Sequence, residues 1–170
     1  TRIACQTENL TTKEPDLSFV NRVDSMDSDA DVVVVFGGTN DFGHGDAKLG
    51  TFESRDPYTF YGAMHVLCEK LINRFPNADI LFMTPLHRCS EDEVSKENGL
   101  PEETNLAGYV SIIREVAEFY GLPVLDLFST SGLQPKVDII KETYMPDGLH
   151  PSDAGALRIA LRLMGFLQTL

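Results

Sequence analysis

The stretch of sequence that decides the fold is VVVVFGGTND, residues Val32 to Asp41. Its first five residues form a continuous β-branched and aromatic run, which is typical of a strand buried on both faces of a sheet. The paired glycines that follow let the chain turn sharply and approach a ligand closely. They leave Asn40 at the carboxyl end of the strand, with a side-chain amide that can donate hydrogen bonds. A plain Gly-Asn turn would account for the same residues.

Two further apolar runs, Ile80 to Met83 and Pro123 to Leu127, also predict strands. Apolar residues at helical spacing predict one helix that ends before Pro76, a second that ends before Gly121, and a third that starts with Ser152 as its N-cap. The residues predicted to face inward are Tyr61, Met64, Leu67, Leu71 and Phe75; Leu106, Val110, Ile113, Ala117 and Tyr120; and Ala156, Ile159, Ala160, Leu163 and Leu167. A helix before the first strand could use Leu17, Val20 and Val23.

The elements alternate in the order strand, helix, strand, helix, strand, helix. This order predicts right-handed crossovers and a three-layer α/β/α sandwich, in which helices cover both faces of a parallel sheet. No repeat or linker divides the chain, so residues 1–170 are expected to form a single domain. Ligands of such folds bind at the carboxyl ends of the strands, and the segments after Phe36, after Met83 and around His150 should therefore converge.

Composition argues against several classes of protein. The chain has 42% hydrophobic and 24% charged residues, and no apolar run approaches the roughly 20 residues of a membrane-spanning helix. The net charge of -12 would repel phosphate backbones, so nucleic acid is not an expected partner. Cys5, Cys68 and Cys89 are too widely spaced to define a disulfide framework or a paired metal site, and we expect them to be inert thiols.

A second polar segment, Asp147-Gly148-Leu149-His150-Pro151, lies just ahead of the last predicted helix. A carboxylate three residues before an imidazole can accept its Nδ1–H, fix its tautomer and leave Nε2 to act as a general base. A surface Asp-Gly turn followed by a helix-initiating His-Pro would explain the same residues. Both polar segments fall at the same end of the predicted sheet, and together they favour an active site.

The segment Gly38-Thr39-Asn40-Asp41 resembles the G-x-N-D block of the SGNH (GDSL-like) hydrolases, and Asp147 to His150 resembles their D-x-x-H block. The resemblance extends over essentially the whole chain and implies a flavodoxin-like SGNH hydrolase fold. It also implies that His150 is the general base, that Asp147 orients it and that Asn40 donates to the oxyanion. The implied reaction is hydrolysis of a small-molecule ester by an esterase, lipase or acylhydrolase. Acetylated carbohydrates are among the compatible substrates, and no cofactor is implied.

Two parts of the family pattern have no counterpart in the sequence: the Gly-Asp-Ser block that supplies the nucleophile, and an oxyanion glycine after the second strand. Asp24-Ser25 and Asp27-Ser28 lack a preceding glycine. Thr1 to Ala4 resembles the residues that come after that glycine in the family, so we expect the chain to begin just after the family's second strand and to be nearly inactive alone. The family's first strand would lie beside Val32 to Phe36. We expect an N-terminal segment of the same protein, or a second copy in a homo-oligomer, to complete that edge.

Further residues in and near the two blocks are expected to contact substrate. These residues are Gly38, Asp41, His44, His87 and Arg88, with Asp46 also near the rim. No metal is predicted, because the two histidines lie on different loops without the i, i+4 pairing of a helical zinc site. Arg88 could pair with a substrate carboxylate or with a surface acid. The acidic residues Glu91 to Glu93 and the stretch Glu97 to Glu103 could form a solvated excursion or a lid.

Two other functions remain open from the sequence. A non-catalytic α/β carbohydrate- or acyl-binding module would explain the missing serine, although it gives Asp147 and His150 no obvious use. A flavodoxin-like nucleotide or phosphate binder would use Gly37-Gly38, but two adjacent glycines without the longer glycine pattern are weak evidence for a phosphate loop.

Overall fold

The computed structural model describes residues 1–5, 17–44, 47–93 and 104–170, and in these ranges the chain forms a three-stranded parallel sheet flanked by helices. Asp46 and the predicted stretch Glu97 to Glu103 lie outside them. The strands lie in the order β1-β2-β3 across the sheet: β1 (Val32–Phe36), β2 (Asp79–Met83) and β3 (Val124–Leu125). The helices are α1 (Phe19–Arg22), α2 (Thr39–His44), α3 (Phe60–Arg74), α4 (Leu106–Phe119), α5 (Leu127–Thr130), α6 (Asp138–Tyr144) and α7 (Asp153–Leu167), and a 3-10 turn over Val23–Ser25 follows α1.

Local sequence signals set the ends of the three long helices α3, α4 and α7. Thr59, Asn105 and Ser152 are their N-caps, and each side chain accepts the backbone N–H of the residue three positions further on. Helix α3 ends shortly before Pro76, and α4 ends shortly before Gly121, whose φ of 66° suits glycine. The predicted places of these three helices are confirmed.

The two faces of the sheet pack against different helices. On one face, Val33 of β1 and Phe82 of β2 join α3 and α4 in the larger hydrophobic core. On the other face, Leu81 of β2 packs in a second core with Ile159 of α7. Helices therefore cover both faces of β2, and the predicted α/β architecture with a parallel sheet is confirmed.

The prediction that the first strand is buried on both faces is wrong for the described part of the chain. Val33 and Val35 are buried, but Val32, Val34 and Phe36 on the opposite face of β1 are 43%, 40% and 43% exposed. Strand β1 is an edge strand of this sheet, since its strand neighbour there is β2. Within the described ranges, apolar side chains and one backbone edge of β1 are thus uncovered.

Two predicted details differ from the structure. Strand β3 is shorter than Pro123 to Leu127, because the Asp126 side chain accepts the Ser129 N–H and starts helix α5 at Leu127. In α7, Ala156 and Ala160 are exposed, and the inward face runs instead through Gly155, Ile159 and Leu163.

Glycine is the physical reason for the rotation of α7. A Cβ at Gly155 would lie 2.5 Å from the Tyr144 carbonyl oxygen, so the missing side chain lets α7 approach the end of α6 closely with that face inward.

Within the described ranges, no helix is long and apolar enough to cross a membrane.

Candidate active site

The loop between α6 and α7 holds Asp147 and His150 in direct contact. Asp147 Oδ2 lies 2.6 Å from His150 Nδ1, and Asp147 Oδ1 accepts the backbone N–H groups of Leu149 at 2.9 Å and His150 at 2.7 Å. Gly148 makes the turn possible, since its φ is 77° and a Cβ there would lie 2.5 Å from the Sγ of Cys89. The carboxylate is therefore fixed by the backbone of its own loop and aimed at the imidazole.

The Asp147 carboxylate is strongly biased toward its ionised form. The hydrogen bond from His150 holds its pKa well below the usual value, and the backbone N–H groups of His150 and Leu149 lower the pKa further. An ionised carboxylate at Nδ1 keeps the proton on that nitrogen and leaves Nε2 as the acceptor. The side chain of His150 is 76% exposed, so a reacting group can reach it.

Asn40 lies in the first turn of α2, directly after the tight turn that ends β1. Gly38 makes this turn with a φ of 102°, and its carbonyl oxygen accepts the backbone N–H of Phe42. The Asn40 side chain donates from Nδ2 to the carbonyl oxygen of Thr1 at 3.0 Å. An amide nitrogen carries two hydrogens, so a second one stays available to another acceptor.

One pocket of about 210 Å³ brings Asn40 and His150 together. The remaining wall is mostly apolar and comes from three segments, which follow β1, follow β2 and precede α7; its residues are Phe36, Gly37, Thr39, Pro85, Leu86, Leu149 and Pro151. A hydrogen-bond donor and an imidazole held by a carboxylate thus share one small cavity at the carboxyl ends of the strands. This combination can transfer a proton and stabilise a developing negative charge.

Two residues that the sequence predicted to contact substrate are interior instead. Asp41 is 1% exposed, and its carboxylate accepts the backbone N–H groups of Ile3 and Ala4 at 2.9–3.1 Å. Gly38 is also buried and does not contribute to the pocket wall, because Ile113 and Pro85 pack against it. The geometry of both residues favours a structural role over a substrate contact.

His44, His87 and Arg88 lie near the site but do not line the pocket. His44 is exposed at the end of α2. His87 Nδ1 lies 2.7 Å from Glu91 Oε2, and its ring packs on Phe128. Their proposed contacts with substrate stay predictions.

The Arg88 guanidinium is occupied by contacts within the chain. It lies over the Phe42 ring at 5.3 Å, and it donates to the Thr39 carbonyl oxygen and to Ser90 Oγ. Burial lowers the pKa of Arg88, with an opposing influence from Glu93. These contacts fasten the β2–α4 loop to the start of α2.

The described residues include no group of three or more His, Cys, Asp or Glu side chains that could hold a metal ion.

The sequence analysis did not predict the role of the segment Thr1 to Cys5, which contacts Asn40 through a backbone carbonyl. Backbone atoms carry no residue-type signal. A buried aspartate paired with distant N–H groups could not be located before the fold was known.

Known proteins share both the sequence pattern and the fold. Residues 6–158 match the model of the GDSL-like Lipase/Acylhydrolase family. One solved structure is 38% identical, with a TM-score of 0.83 over 99% of this chain and 75% of the other. A protein from Lactobacillus plantarum is 31% identical, with a TM-score of 0.80 over 92% of this chain and 75% of that one. No curated protein sequence matches significantly.

A more distant solved structure, an acetyl xylan esterase, is 20% identical, with a TM-score of 0.56 over 79% of this chain and 66% of the esterase. At that identity the likeness shows a shared fold. The family match shows more: the chain belongs to the GDSL-like lipase/acylhydrolase family and is of the ester-hydrolase type.

Proposed function

We propose that the complete site hydrolyses an acyl ester through a serine nucleophile. His150 takes the proton of the serine hydroxyl as the serine attacks the ester carbonyl, and it then returns this proton to the departing alkoxide. Asp147 keeps His150 in the required tautomer, and Asn40 donates to the oxyanion of the tetrahedral intermediate. Water then releases the acyl group by the same steps, with His150 again as the base.

One observation carries this proposal: Asn40 and His150 share a small pocket, and His150 already holds the carboxylate of Asp147 at 2.6 Å. Asn40 and His150 are distant in sequence and belong to different structural elements. A passive binding pocket needs a donor and an acceptor but does not need an imidazole oriented by an ionised carboxylate.

We infer that the serine comes from outside these 170 residues. Within the described residues, no serine lines the pocket. The exposed edge of β1 borders a groove of about 290 Å³ lined by α1, β1 and α3, including Phe19, Phe36 and Leu67. A strand that pairs with β1 in parallel, like the strands already in this sheet, would cover this apolar surface, and its carboxyl end would lie at the end of the sheet where the pocket lies. An N-terminal segment of the same protein, or a second copy, could supply this strand.

The substrate class that fits the pocket is an ester with a short acyl group. The walls that this chain contributes enclose about 210 Å³, which is less than the roughly 300–1,000 Å³ of typical drug-sized ligand sites. Apolar side chains such as Leu86 and Pro151 would pack against a methyl group, while a long chain would extend out of the cavity. An acetyl ester, including an acetylated carbohydrate, meets this requirement.

The test is a hydrolysis assay with p-nitrophenyl acetate. It compares the 170-residue chain with the same chain extended by the residues that precede it in its gene. We expect turnover only in the extended protein, with loss of turnover in His150→Ala and in Asn40→Ala. The exposed Asn73→Ala on α3 serves as the matched control and should retain it. Turnover by the 170 residues alone would refute the inference that the serine comes from outside them. Absence of turnover in both proteins would favour a binding module.

A further inference from the structure

The segment Thr1 to Cys5 is tied to the rest of the molecule at each end. The carbonyl oxygen of Arg2 accepts the N–H of Phe19 at 2.8 Å, and the N–H of Cys5 donates to the carbonyl oxygen of Pro57 at 2.8 Å. Between these bonds, the Asp41 carboxylate accepts the N–H groups of Ile3 and Ala4. The segment is thus a short, well-anchored support beside the active site.

Asp41 is an unusual anchor for such a support, because it is a carboxylate that is 1% exposed. Its Oδ1 lies 3.1 Å from the Ile3 nitrogen and 2.9 Å from the Ala4 nitrogen, and its Oδ2 lies 3.0 Å from the Ile3 nitrogen. Burial raises the pKa of Asp41, although these N–H groups oppose the shift. An amide of the same size would present its nitrogen to one of these N–H donors, whereas a carboxylate offers an acceptor at both oxygens.

The segment Thr1 to Cys5 contacts the Asn40 side chain through a single atom. The carbonyl oxygen of Thr1 accepts from Asn40 Nδ2 at 3.0 Å, and a carbonyl oxygen can only accept. Thr1 therefore faces the nitrogen of the Asn40 amide and disfavours the flipped amide, which would place two oxygens together. One amide hydrogen is used at Thr1, and the other remains for a ligand in the pocket that Asn40 lines.

We propose that Asp41 is a positioning residue for catalysis, which orients the oxyanion donor Asn40 through Ile3, Ala4 and the carbonyl of Thr1. The inference rests on the proposed ester hydrolysis. Oxyanion stabilisation depends on donors that are fixed before the reaction begins, so loss of their orientation lowers turnover even when the substrate still binds. Helix α2 places both residues in one turn, with Asn40 toward the pocket and Asp41 toward the interior.

The decisive variant is Asp41→Asn in the complete enzyme. Asparagine has one acceptor oxygen, and its amide nitrogen would face an N–H donor of the segment, so Thr1 is expected to shift. The two outer backbone bonds of the segment remain, and no buried charge is left, so we expect the variant to fold. With p-nitrophenyl acetate, kcat should fall roughly 10- to 100-fold while KM changes little, as expected for misplacement of a catalytic donor.

A double-mutant cycle separates positioning from a general structural role. Asn40→Ala alone should lower kcat about 10²- to 10³-fold. If Asp41 acts through Asn40, adding Asp41→Asn should change kcat by no more than about twofold further, whereas independent effects would multiply. The matched control is Asp126→Asn, because Asp126 also accepts three hydrogen bonds, from Thr84, Arg114 and Ser129. It should lower the midpoint of thermal unfolding while kcat stays unchanged.

The outcomes separate this inference from the proposed function. If His150→Ala and Asn40→Ala keep full turnover, ester hydrolysis at this site is refuted. If both lose turnover while Asp41→Asn keeps wild-type kcat, or if its effect multiplies with that of Asn40→Ala, only the positioning role is refuted. Should Asp41→Asn fail to fold, NMR relaxation of the wild-type Asn40 side-chain amide decides. An order parameter of about 0.6 or more supports an oriented donor, and one below about 0.6 overturns it.

Discussion

Within the described residues, two histidine–carboxylate pairs have almost the same geometry and very different surroundings. His150 lies 2.6 Å from Asp147, and His87 lies 2.7 Å from Glu91. The side chains of the first pair are 76% and 54% exposed, and those of the second are 23% and 9% exposed. Distance alone therefore does not tell a catalytic dyad from a structural one.

The partners of the two carboxylates make the difference. Asp147 is bound by His150 and by two N–H groups of its own loop. Glu91 accepts from His87, from the Arg88 N–H and from Gln134, and it pairs with Lys136. The first pair is free to exchange a proton with a ligand, whereas the second joins the loop after β2 to the segment before α6. Four predictions test this division.

The largest expected effect is on turnover when each histidine is removed. His150→Ala should lower kcat of the complete enzyme on the order of 10⁵- to 10⁶-fold, because the general base of a serine triad is lost. His87→Ala should change kcat less than about tenfold, since His87 does not line the pocket. Steady-state kinetics with p-nitrophenyl acetate checks both. A larger loss in His87→Ala than in His150→Ala would reverse the assignment.

The carboxylates should differ in the same direction. Asp147→Asn should lower kcat on the order of 10⁴-fold, because an amide at this position no longer holds the imidazole in the required tautomer. Glu91→Gln is the matched neutral substitution in the other pair and should leave kcat within about tenfold of wild type. The same assay measures both variants, with circular dichroism to verify that each is folded. Equal losses would show that the two pairs are not distinct in function.

The effects on stability should be in the opposite order to those on kcat, with the larger loss in Glu91→Gln. Glu91→Gln should lower the free energy of unfolding by about 1–3 kcal/mol, since it removes an acceptor that several partly buried donors share. Asp147→Asn should leave the unfolding midpoint close to that of wild type, because its loop is exposed. Urea unfolding followed by circular dichroism compares the two. A stable Glu91→Gln protein would contradict the structural role of Glu91.

The smallest expected effect is the pH dependence of that stability difference. Burial raises the pKa of Glu91, but the hydrogen bonds from Lys136, Gln134 and His87 outweigh it and hold the pKa below its ordinary value of 4.5. A carboxyl with a lowered pKa in the folded state stabilises the protein above its unfolded pKa, and this contribution is lost as the pH falls. The stability difference between wild type and Glu91→Gln should thus be full at pH 7 and shrink below about pH 4.5. A pH-independent difference would argue against ionised Glu91.

The sequence predicted the parts of this comparison that depend on local pattern. Asp147 and His150 are three residues apart on a glycine loop, so their contact follows from short-range geometry. The apolar runs, the three long helices and Ser152 as the N-cap of α7 were equally local. Asn40 could be placed at a strand end because a buried strand and two glycines precede it.

Contacts between residues that are distant in sequence could not be predicted from the local sequence pattern. Asp41 was predicted to contact substrate, yet the fold turns it inward to N–H groups 38 and 37 positions earlier in the chain. Likewise, the inward face of α7 depends on the close approach of Gly155 to the Tyr144 carbonyl, and hydrophobic spacing gives glycine no weight. Whether a side chain is covered depends on neighbours that sequence spacing does not identify.

Cys89 lies against the loop that carries Asp147 and His150, and its thiol can be labelled chemically. Its backbone N–H donates to the Gly148 carbonyl at 2.9 Å, between Asp147 and His150, and the residue is exposed, while Cys5 and Cys68 are buried. Burial also raises the pKa of Cys68 to about 12, which suppresses its reactive thiolate. A thiol-directed fluorophore would therefore label Cys89 selectively. Its emission would report, in real time and without a chromogenic substrate, when a ligand reaches the loop.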